Sequence, residues 1–406
     1  MREGFLSRSR KFNPRTFFLS VLHLASSTNN NGYFTALHRS WARSGLKLTN
    51  TPTKSSLSEY RERVSSQFFK DIYEQDLLRF NPVRETFRGH FVYAIDGDLL
   101  DLPASESVLA KGYRGAPFKG LAETHYPKMC AVHAVDVVNG VVARFSCSIQ
   151  NTEINQARAM IEGLEKNSIS IYDRLHQTYN TAWAHERAGN YYFIRVKTKD
   201  TTSSPPITAF CRSKRRSAWV DLAPPVRNQG RTPTLRVRLI RVKNKKTKQD
   251  MVFMTNCPEG LIRNKEACAL YLRRWGVESS FKDLTDTLKM CQWHTFKFDG
   301  ILQEIYALLW LTNNVRRLTS RVTKRARDWL QPDYRKANFK LLVAILMDHL
   351  DLLIRGRHRK LRQILSYWIN RSVERRKHLS RSYPRQVKRF GKHYKNASRI
   401  GRRPAA

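Results

Sequence analysis

The stretch Phe91-Val-Tyr-Ala-Ile95-Asp96-Gly97-Asp98 is a short run of aromatic and β-branched residues followed at once by residues typical of turns. This composition favours a buried β-strand, and the Asp-Gly-Asp triplet predicts that the strand ends at Asp96. Catalytic and ligand-binding groups of α/β sheets collect at the carboxyl ends of strands. Asp96 is therefore the first candidate functional residue.

The segments that follow predict the rest of an α/β core. The predicted elements are, in order, strands at 128–136 and 141–147, a helix at 153–164, a strand at 169–172, a helix at 176–188 and a strand at 191–196. Asn139-Gly140 between the first two is a strong hairpin signal. This order predicts a ribonuclease H-like core. The strand at 169–172 ends at Asp173, which is thus placed, like Asp96, where chemistry is expected.

A second informative stretch is Tyr271-Leu-Arg-Arg-Trp-Gly-Val-Glu278-Ser-Ser-Phe-Lys282. At roughly 100° per residue, Tyr271, Arg274, Glu278 and Lys282 fall on one narrow polar stripe of a helix, and apolar residues fall on an adjacent face. The helix is expected to bury that face and to present a carboxylate beside two cations and a phenol. The stripe also fits a solvated face whose i,i+4 ion pairs contribute about 0.2–0.5 kcal/mol each.

The composition indicates a polyanionic partner. The formal net charge is +41, from 74 Lys and Arg against 33 Asp and Glu, which favours nucleic acid first and an anionic membrane surface second. No apolar run is long enough for a transmembrane helix, which needs about 18 residues or more. The six cysteines form no C-x-x-C pair, so the sequence favours neither a zinc site nor a disulfide framework and predicts reduced thiols in a cytoplasmic protein.

Composition also divides the chain into regions. Residues 1–85 are basic and predicted to be helical, with helices at 32–44 and 56–78; this region is either a DNA-end-binding subdomain or a helical cap on the next domain. The predicted core comprises 86–197 and 251–322, interrupted by a β-rich insertion at 198–250 whose outward face is basic. Residues 323–406 are predicted to be helical and strongly basic, and after Arg355 the only acidic residue is Glu374. Interspersed aromatic residues there favour contact with nucleic acid over a solvated tail.

Taken together, four motifs resemble the DDE transposases of bacterial insertion sequences, in particular the group named for its Tyr-Arg-Glu-Lys (YREK) signature. They are Ala94-Ile-Asp96-Gly-Asp98, Tyr172-Asp173-Arg174, Thr255-Asn-Cys-Pro258 and Tyr271-x-x-Arg274-Trp-x-x-Glu278-x-x-Phe-Lys282. The resemblance runs from about residue 90 to about residue 320. Ser382-Tyr-Pro-Arg385 also resembles the basic tails of that group.

The resemblance implies that Asp96, Asp173 and Glu278 are the metal-binding catalytic carboxylates of a ribonuclease H-like fold. Carboxylate oxygens suit hard divalent ions, so two Mg²⁺ or Mn²⁺ ions per active site are expected. The resemblance further implies that Tyr271, Arg274 and Lys282 hold the terminal phosphate of the transposon end. A phenol, a guanidinium and an ammonium group beside a metal site suit that task.

The signature is incomplete at one position. The group has a lysine seven residues after the glutamate, where this chain has Thr285. Lys282 lies on the polar stripe and is the preferred substitute; Lys289 lies nearly two turns further along. Trp275 is a candidate for stacking on a base, although a lone tryptophan between a polar and an apolar face is more often a core residue.

The predicted function is a DNA transposase that binds the terminal inverted repeats of its element, cleaves the strands and joins them to target DNA by cut-and-paste movement. Because two ends are handled together, a homodimer on double-stranded DNA is expected, in the bacterial cytoplasm at the nucleoid and without a membrane partner. Two alternatives remain at this point. One is a non-catalytic DNA-binding remnant of a transposase, and the other is a ribonuclease H-like nuclease or resolvase.

Overall fold

The structure is a computed structural model. It describes residues 12–26, 32–43, 47–81, 84–115, 126–149, 152–198, 204–226, 230, 232–243, 250–322, 335–336, 338–372 and 374–375. The Ser382–Arg385 motif and the aromatic residues near it lie outside the described residues. No helix of the described residues is both long enough and apolar enough to cross a membrane.

The described elements are listed here in chain order. Strands β1 to β10 are Val92–Asp101, Lys128–Asp136, Val141–Ile149, Ile169–Tyr172, Tyr191–Arg195, Ser217–Leu222, Leu235–Lys243, Asp250–Thr255, Arg335–Lys336 and Glu374–Arg375. Helices α1 to α14 are Pro14–Ala25, Tyr33–Arg43, Lys54–Arg63, Gln67–Phe80, Glu106–Leu109, Glu153–Ile161, Tyr179–Ala188, Pro205–Arg212, Ala267–Leu272, Trp275–Lys282, Phe298–Val322, Phe339–Asp348, Leu350–Ile354 and His358–Ser372.

A mixed eight-stranded sheet with the order β3-β2-β1-β4-β5-β8-β7-β6 organises the fold. β1, β4 and β5 are parallel, and the other neighbouring pairs are antiparallel. The α/β class and the three-strand start are therefore as the sequence predicts, and the strand order is consistent with a ribonuclease H-like core. The strands of the predicted β-rich insertion extend this same sheet, because β8 pairs with β5.

β1 corrects the prediction that the first strand ends at Asp96. The strand continues through Gly97 and Asp98 to Asp101, because β2 pairs with it along that whole length, from Tyr93↔Asp136 to Asp101↔Lys128. Turn propensity is a weak local preference, and a continuous ladder of backbone hydrogen bonds overrides it. Asp96 therefore lies within a strand and not at a turn.

The N-terminal helices pack on the rest of the chain. The apolar helix α1 buries ten of its residues. Arg61 of α3 is buried in an ion pair with Glu304 of α11, with 2.7 Å between the guanidinium and carboxylate atoms, and it also donates to the Gly300 carbonyl oxygen at 2.8 Å. A buried arginine needs such partners, since an unpaired buried charge is strongly unfavourable. This contact fixes the N-terminal helices to α11.

One predicted helix of this region is two helices. The segment 56–78 is interrupted between α3 and α4, where Val64 is buried with an extended backbone and Ser66 donates through its backbone N–H and its hydroxyl to Asp299. Ser56-Leu-Ser-Glu59 has the sequence of a capping box, but Ser56 is not the N-cap residue of this helix. Thr53 caps α3 by accepting a hydrogen bond from the backbone N–H of Ser56, because the helix begins at Lys54, two residues before Ser56.

The predicted helix of the polar stripe is also interrupted, at Arg273 and Arg274, between α9 and α10. α10 then packs closely on the β2–β3 hairpin and on β2. A Cβ atom at Gly276 would lie 2.9 Å from a methyl carbon of Val137. The Phe281 ring stacks on His133 of β2 with 4.0 Å between centroids. Burial lowers the pKa of His133 to about 3, so this ring packs as a neutral group.

We expect Gly276→Ala to lower the free energy of unfolding by about 1–2 kcal/mol, because Val137 is short and branched and cannot move aside without repacking. Gly260→Ala is the matched control, since nothing lies within 4 Å of its Cβ position; a change within about 0.5 kcal/mol is expected there. Denaturant unfolding of the three proteins measures both values. Equal stability of the two variants would contradict the close approach of α10.

Candidate active site

Two of the predicted carboxylates are brought together by the pairing of β1 with β4. The parallel register pairs Val92 with Ile169 and Ala94 with Ile171. Two residues further along, the same offset brings Asp96 level with Asp173, and the two are near enough for the charge of Asp173 to raise the pKa of Asp96. Asp173 follows the last residue of β4, and its carboxylate accepts a hydrogen bond of 2.7 Å from the backbone N–H of Leu175. Asp173 thus lies just beyond the carboxyl end of β4, and Asp96 lies at about the same level within the longer strand β1.

Arg274 joins the third predicted carboxylate to the first. Its guanidinium donates to Oδ2 of Asp96 at 2.8 Å and also to Oε1 of Glu278. The Arg274 side chain is only 10% exposed, so this double ion pair is largely desolvated and fixes α10 over the edge of β1. The i,i+4 pair of the predicted stripe therefore exists, but it is part of a cluster and not a solvated ladder.

Glu153, the first residue of α6, is a fourth carboxylate beside this cluster, and the sequence reasoning missed it. It lies against β1, where a Cβ atom at Gly97 would be 2.6 Å from its Cγ, so glycine at position 97 makes room for it. Its Oε1 lies 3.2 Å from Nε2 of the buried His176. The available signal was the position of Glu153 at the start of the helix that follows the third strand.

The environment of Asp96 disfavours its ionised form. Burial raises its pKa most, the neighbouring Arg274 opposes that effect, and the charges of Glu153 and Asp173 add to it, which together bring the pKa to about 6. Burial likewise raises the pKa of Asp98, the next carboxylate along β1, two residues after Asp96. Shifted carboxylates in one place are typical of functional sites.

The other predicted DNA contacts differ in exposure. Tyr271 is 5% exposed and packs against Phe253, with 5.1 Å between the ring centroids. The Arg274 guanidinium lies 5.8 Å from the centroid of the Tyr271 ring. Trp275, at the start of α10, is 43% exposed and is not a core residue. Lys282 is exposed at the end of α10.

Beyond α10, the helix continues as a π-helical turn at Asp283–Thr287. Thr285, at the position of the missing signature lysine, donates its hydroxyl to the Phe281 carbonyl oxygen at 2.9 Å. The Thr285 hydroxyl therefore forms its hydrogen bond within the helix itself. Lys289 is exposed and follows the turn with a left-handed backbone (φ 56°).

The donor chemistry of the cluster fits a divalent cation. As placed, no three Asp, Glu, His or Cys side chains of the described residues are close enough together to hold a metal ion. A cationic group nevertheless already lies between Asp96 and Glu278, namely the Arg274 guanidinium. Carboxylate oxygens are the ligands that Mg²⁺ and Mn²⁺ prefer. Release of these two carboxylates by Arg274 would leave them for a metal ion.

Comparisons with known proteins identify related chains. The family model described as the transposase DDE domain matches residues 89–314, more than half of the chain. No curated protein sequence is a significant match. Among solved structures, the chain is similar to the piggyBac transposase in a cryo-EM structure of its synaptic complex with hairpin DNA. That similarity has 14% sequence identity and a TM-score of 0.48, and covers 91% of this chain and 79% of that chain.

We expect the carboxyl carbon of Asp96 to titrate with a pKa of about 6 in NMR spectra of ¹³C-labelled protein. Between the unperturbed value of 3.8 and pH 6 the folded chain retains a proton that the unfolded chain has released. The contribution of Asp96 to folding stability therefore falls as pH rises through this window.

Glu153→Gln removes one of the charges that raise this value, so the pKa of Asp96 is expected to decrease in that variant. Glu162→Gln is a suitable control, because Glu162 is an exposed residue just beyond the same helix and pairs with Arg187. A pKa for Asp96 below 4, or one that does not respond to Glu153→Gln, would contradict the described cluster.

Proposed function

Because the chain belongs to the family of transposases with a DDE domain, enzymes that cleave and transfer DNA strands, we propose that Asp96, Asp173 and Glu278 carry this chemistry. The observation that supports the assignment most directly is the β1–β4 register, which sets the first two side by side, together with Arg274, which ties Glu278 to Asp96. Acidic residues from three distant parts of the chain thus share one small region at the sheet edge.

Asp96, Asp173 and Glu278 would hold the divalent ions that DDE transposases generally use, and we propose two Mg²⁺ or Mn²⁺ ions. When bound, such ions lower the barrier to displacement at a phosphate by activating the attacking oxygen and stabilising the leaving one. The protein's contribution is to fix the carboxylates in position. β1 and β4 hold two of them on rigid strands, and the packing of Phe281 on His133 holds the helix that carries the third.

Arg274 would change partners when the site is filled. In the structure its charge offsets those of Asp96 and Glu278. With cations bound to these carboxylates, the guanidinium is free to donate two parallel hydrogen bonds to a phosphate of the DNA end. Tyr271 supports this role, since its ring centroid is 5.8 Å from the guanidinium, within the range of a cation–π contact.

Exposed residues around α10 would complete the DNA contact. Lys282 and Lys289 are placed to meet phosphates, and Trp275 presents an exposed indole on which a base can stack. Trp275 and Lys282 are on the helix of Glu278, and Lys289 follows the π-helical turn that continues it, which supports a contact with the same DNA segment that enters the catalytic site. Lys282 is the proposed functional substitute for the signature lysine replaced by Thr285.

The proposed substrate is the pair of terminal inverted repeats of a bacterial insertion sequence of the YREK group. We propose that the N-terminal region 1–85 and the basic region 323–406 contribute to recognition of those ends, and that two copies of the chain act together on DNA at the nucleoid. Movement by cut-and-paste is the expected outcome. The net charge of +41 supports binding to a polyanion of this kind.

Purified protein with Mg²⁺ or Mn²⁺ is expected to nick a DNA fragment at the boundary of the element. Asp96→Asn, Asp173→Asn and Glu278→Gln should each lower the nicking rate by more than about 100-fold, since loss of a residue that only supports a metal ligand costs about 10–100-fold. Asp221→Asn is the control, as an exposed carboxylate of β6 paired with Arg236. Cleavage by the three variants at the wild-type rate would refute the assignment.

Arg274→Gln is expected to weaken formation of the complex with a cleaved element end by about 10-fold or more, because a charge-assisted hydrogen bond contributes about 1.5–3 kcal/mol. A gel-shift titration measures the affinity, and thermal unfolding shows whether the fold is retained. Arg187→Gln provides the matched control, since that arginine is exposed and pairs with Glu162. An unchanged affinity in folded Arg274→Gln protein would exclude the phosphate role.

A further inference from the structure

A second group of cations, which we name the basic corner, lies at the far part of the sheet. It consists of Lys214, Arg216, Arg241, Lys243 and Lys265, which line a cavity of about 610 Å³ together with Val242, Asp250 and Asn264. The first two precede β6, the next two are on β7, and Lys265 is in the short 3₁₀ turn Asn264–Glu266. No role in the proposed catalytic site accounts for this concentration of charge.

Most of this charge is available to a ligand. Arg241 is used within the fold, since it donates to the carbonyl oxygens of Phe210 at 2.7 Å and Cys211 at 3.0 Å and pairs with Asp250 at 3.4 Å. The other four cations, Lys214, Arg216, Lys243 and Lys265, are exposed. None of these four forms an ion pair with a carboxylate of the described residues. Such an excess is costly in self-repulsion unless an anion offsets it.

Strand directions place the basic corner on the same edge of the sheet as Asp96 and Asp173. β5 is parallel to β4, so both carboxyl ends lie at that edge. β8 is antiparallel to β5, so β8 starts at this edge. β7 is antiparallel to β8, so β7 ends at the same edge, where Lys243 pairs with Asp250. β6 is antiparallel to β7 and begins there, with the Arg241 N–H donating to the Arg216 carbonyl oxygen at 2.8 Å.

The separation along this edge matches a short length of duplex. β7 is three strands from β4 and four from β1 in the sheet order. With about 4.8 Å between neighbouring strands, the basic corner lies roughly 14–19 Å from the aspartates. B-form DNA advances about 3.4 Å per base pair, so that distance corresponds to about 4–6 base pairs.

We propose that the basic corner binds the phosphodiester backbone of the duplex whose scissile phosphate lies at Asp96 and Asp173, about 4–6 base pairs from that phosphate. This inference rests on the proposed function. Among the described residues, the lining contains lysine and arginine but no aromatic side chain, so it suits phosphates and not stacked bases. The contact is therefore independent of base sequence and strengthens binding on one side of the cleavage point.

The salt dependence of DNA binding tests this surface. In the double variant Arg216→Ala/Lys243→Ala, the negative slope of log K against log salt concentration should become shallower by about 1.8. Each lost phosphate contact with duplex DNA accounts for about 0.9 of this change. The control is Arg236→Ala, because Arg236 is also exposed and on β7 but at its opposite end, paired with Asp221 at 3.2 Å. Its slope should stay at the wild-type value. Equal slopes for the double variant and the control would overturn the proposal.

A series of element-end duplexes, shortened one base pair at a time from each end, locates the contact. Wild-type protein should lose affinity when one arm becomes shorter than about 4–6 base pairs from the cleavage point, and the double variant should be insensitive to that step. Equal sensitivity of both proteins would overturn the proposal. Nicking by wild-type protein in the same reactions distinguishes failure of the proposed function from failure of the basic-corner proposal. Absence of nicking argues against the proposed function. Intact nicking together with equal salt slopes for the double variant and the control argues only against the basic corner.

Discussion

The parallel pairing of β1 with β4 is the constraint on which the candidate site depends. Parallel neighbours bring their carboxyl ends to one edge of a sheet, and the register from Val92↔Ile169 to Ala94↔Ile171 leaves Asp96 and Asp173 side by side. A shift of one residue would turn one of the two side chains to the other face of the sheet. The position of the proposed catalytic aspartates is thus a consequence of strand register.

A like-charged cluster of this kind is unfavourable without a cation, and the structure meets that requirement with Arg274. Its guanidinium binds Asp96 and Glu278 at once, while Glu153 and Asp173 keep the pKa of Asp96 raised. Because these carboxylates repel one another, a divalent ion would offset their charge better than the single charge of the guanidinium does. A transfer of Arg274 from carboxylates to a DNA phosphate would link occupancy of the site to binding of the substrate.

One edge of the eight-stranded sheet therefore carries two kinds of charge. Carboxylates lie at β1 and just after β4, and the cations of the basic corner lie at β7, just before β6 and at Lys265. Asp250 is the one carboxylate among the described residues that line the basic corner, so positive charge predominates where we propose that the duplex passes. Because the insertion strands continue the core sheet, this spacing is fixed by backbone hydrogen bonds and not by a flexible linker.

The sequence by itself predicted most of the strands and helices of the core and the residues proposed to carry the chemistry. The periodicity around β2 and β4, the Asn139-Gly140 hairpin and the excess of basic residues are local or compositional signals, and the motif residues Asp96, Asp173 and Glu278 were identified from them and from family resemblance. Only the tertiary structure decided that β1 continues past Asp96, that Glu153 lies beside it across Gly97, and that Arg274 bridges two carboxylates. The reason is physical: periodicity reports which face of an element is buried, whereas register and side-chain contacts depend on residues far away in the chain.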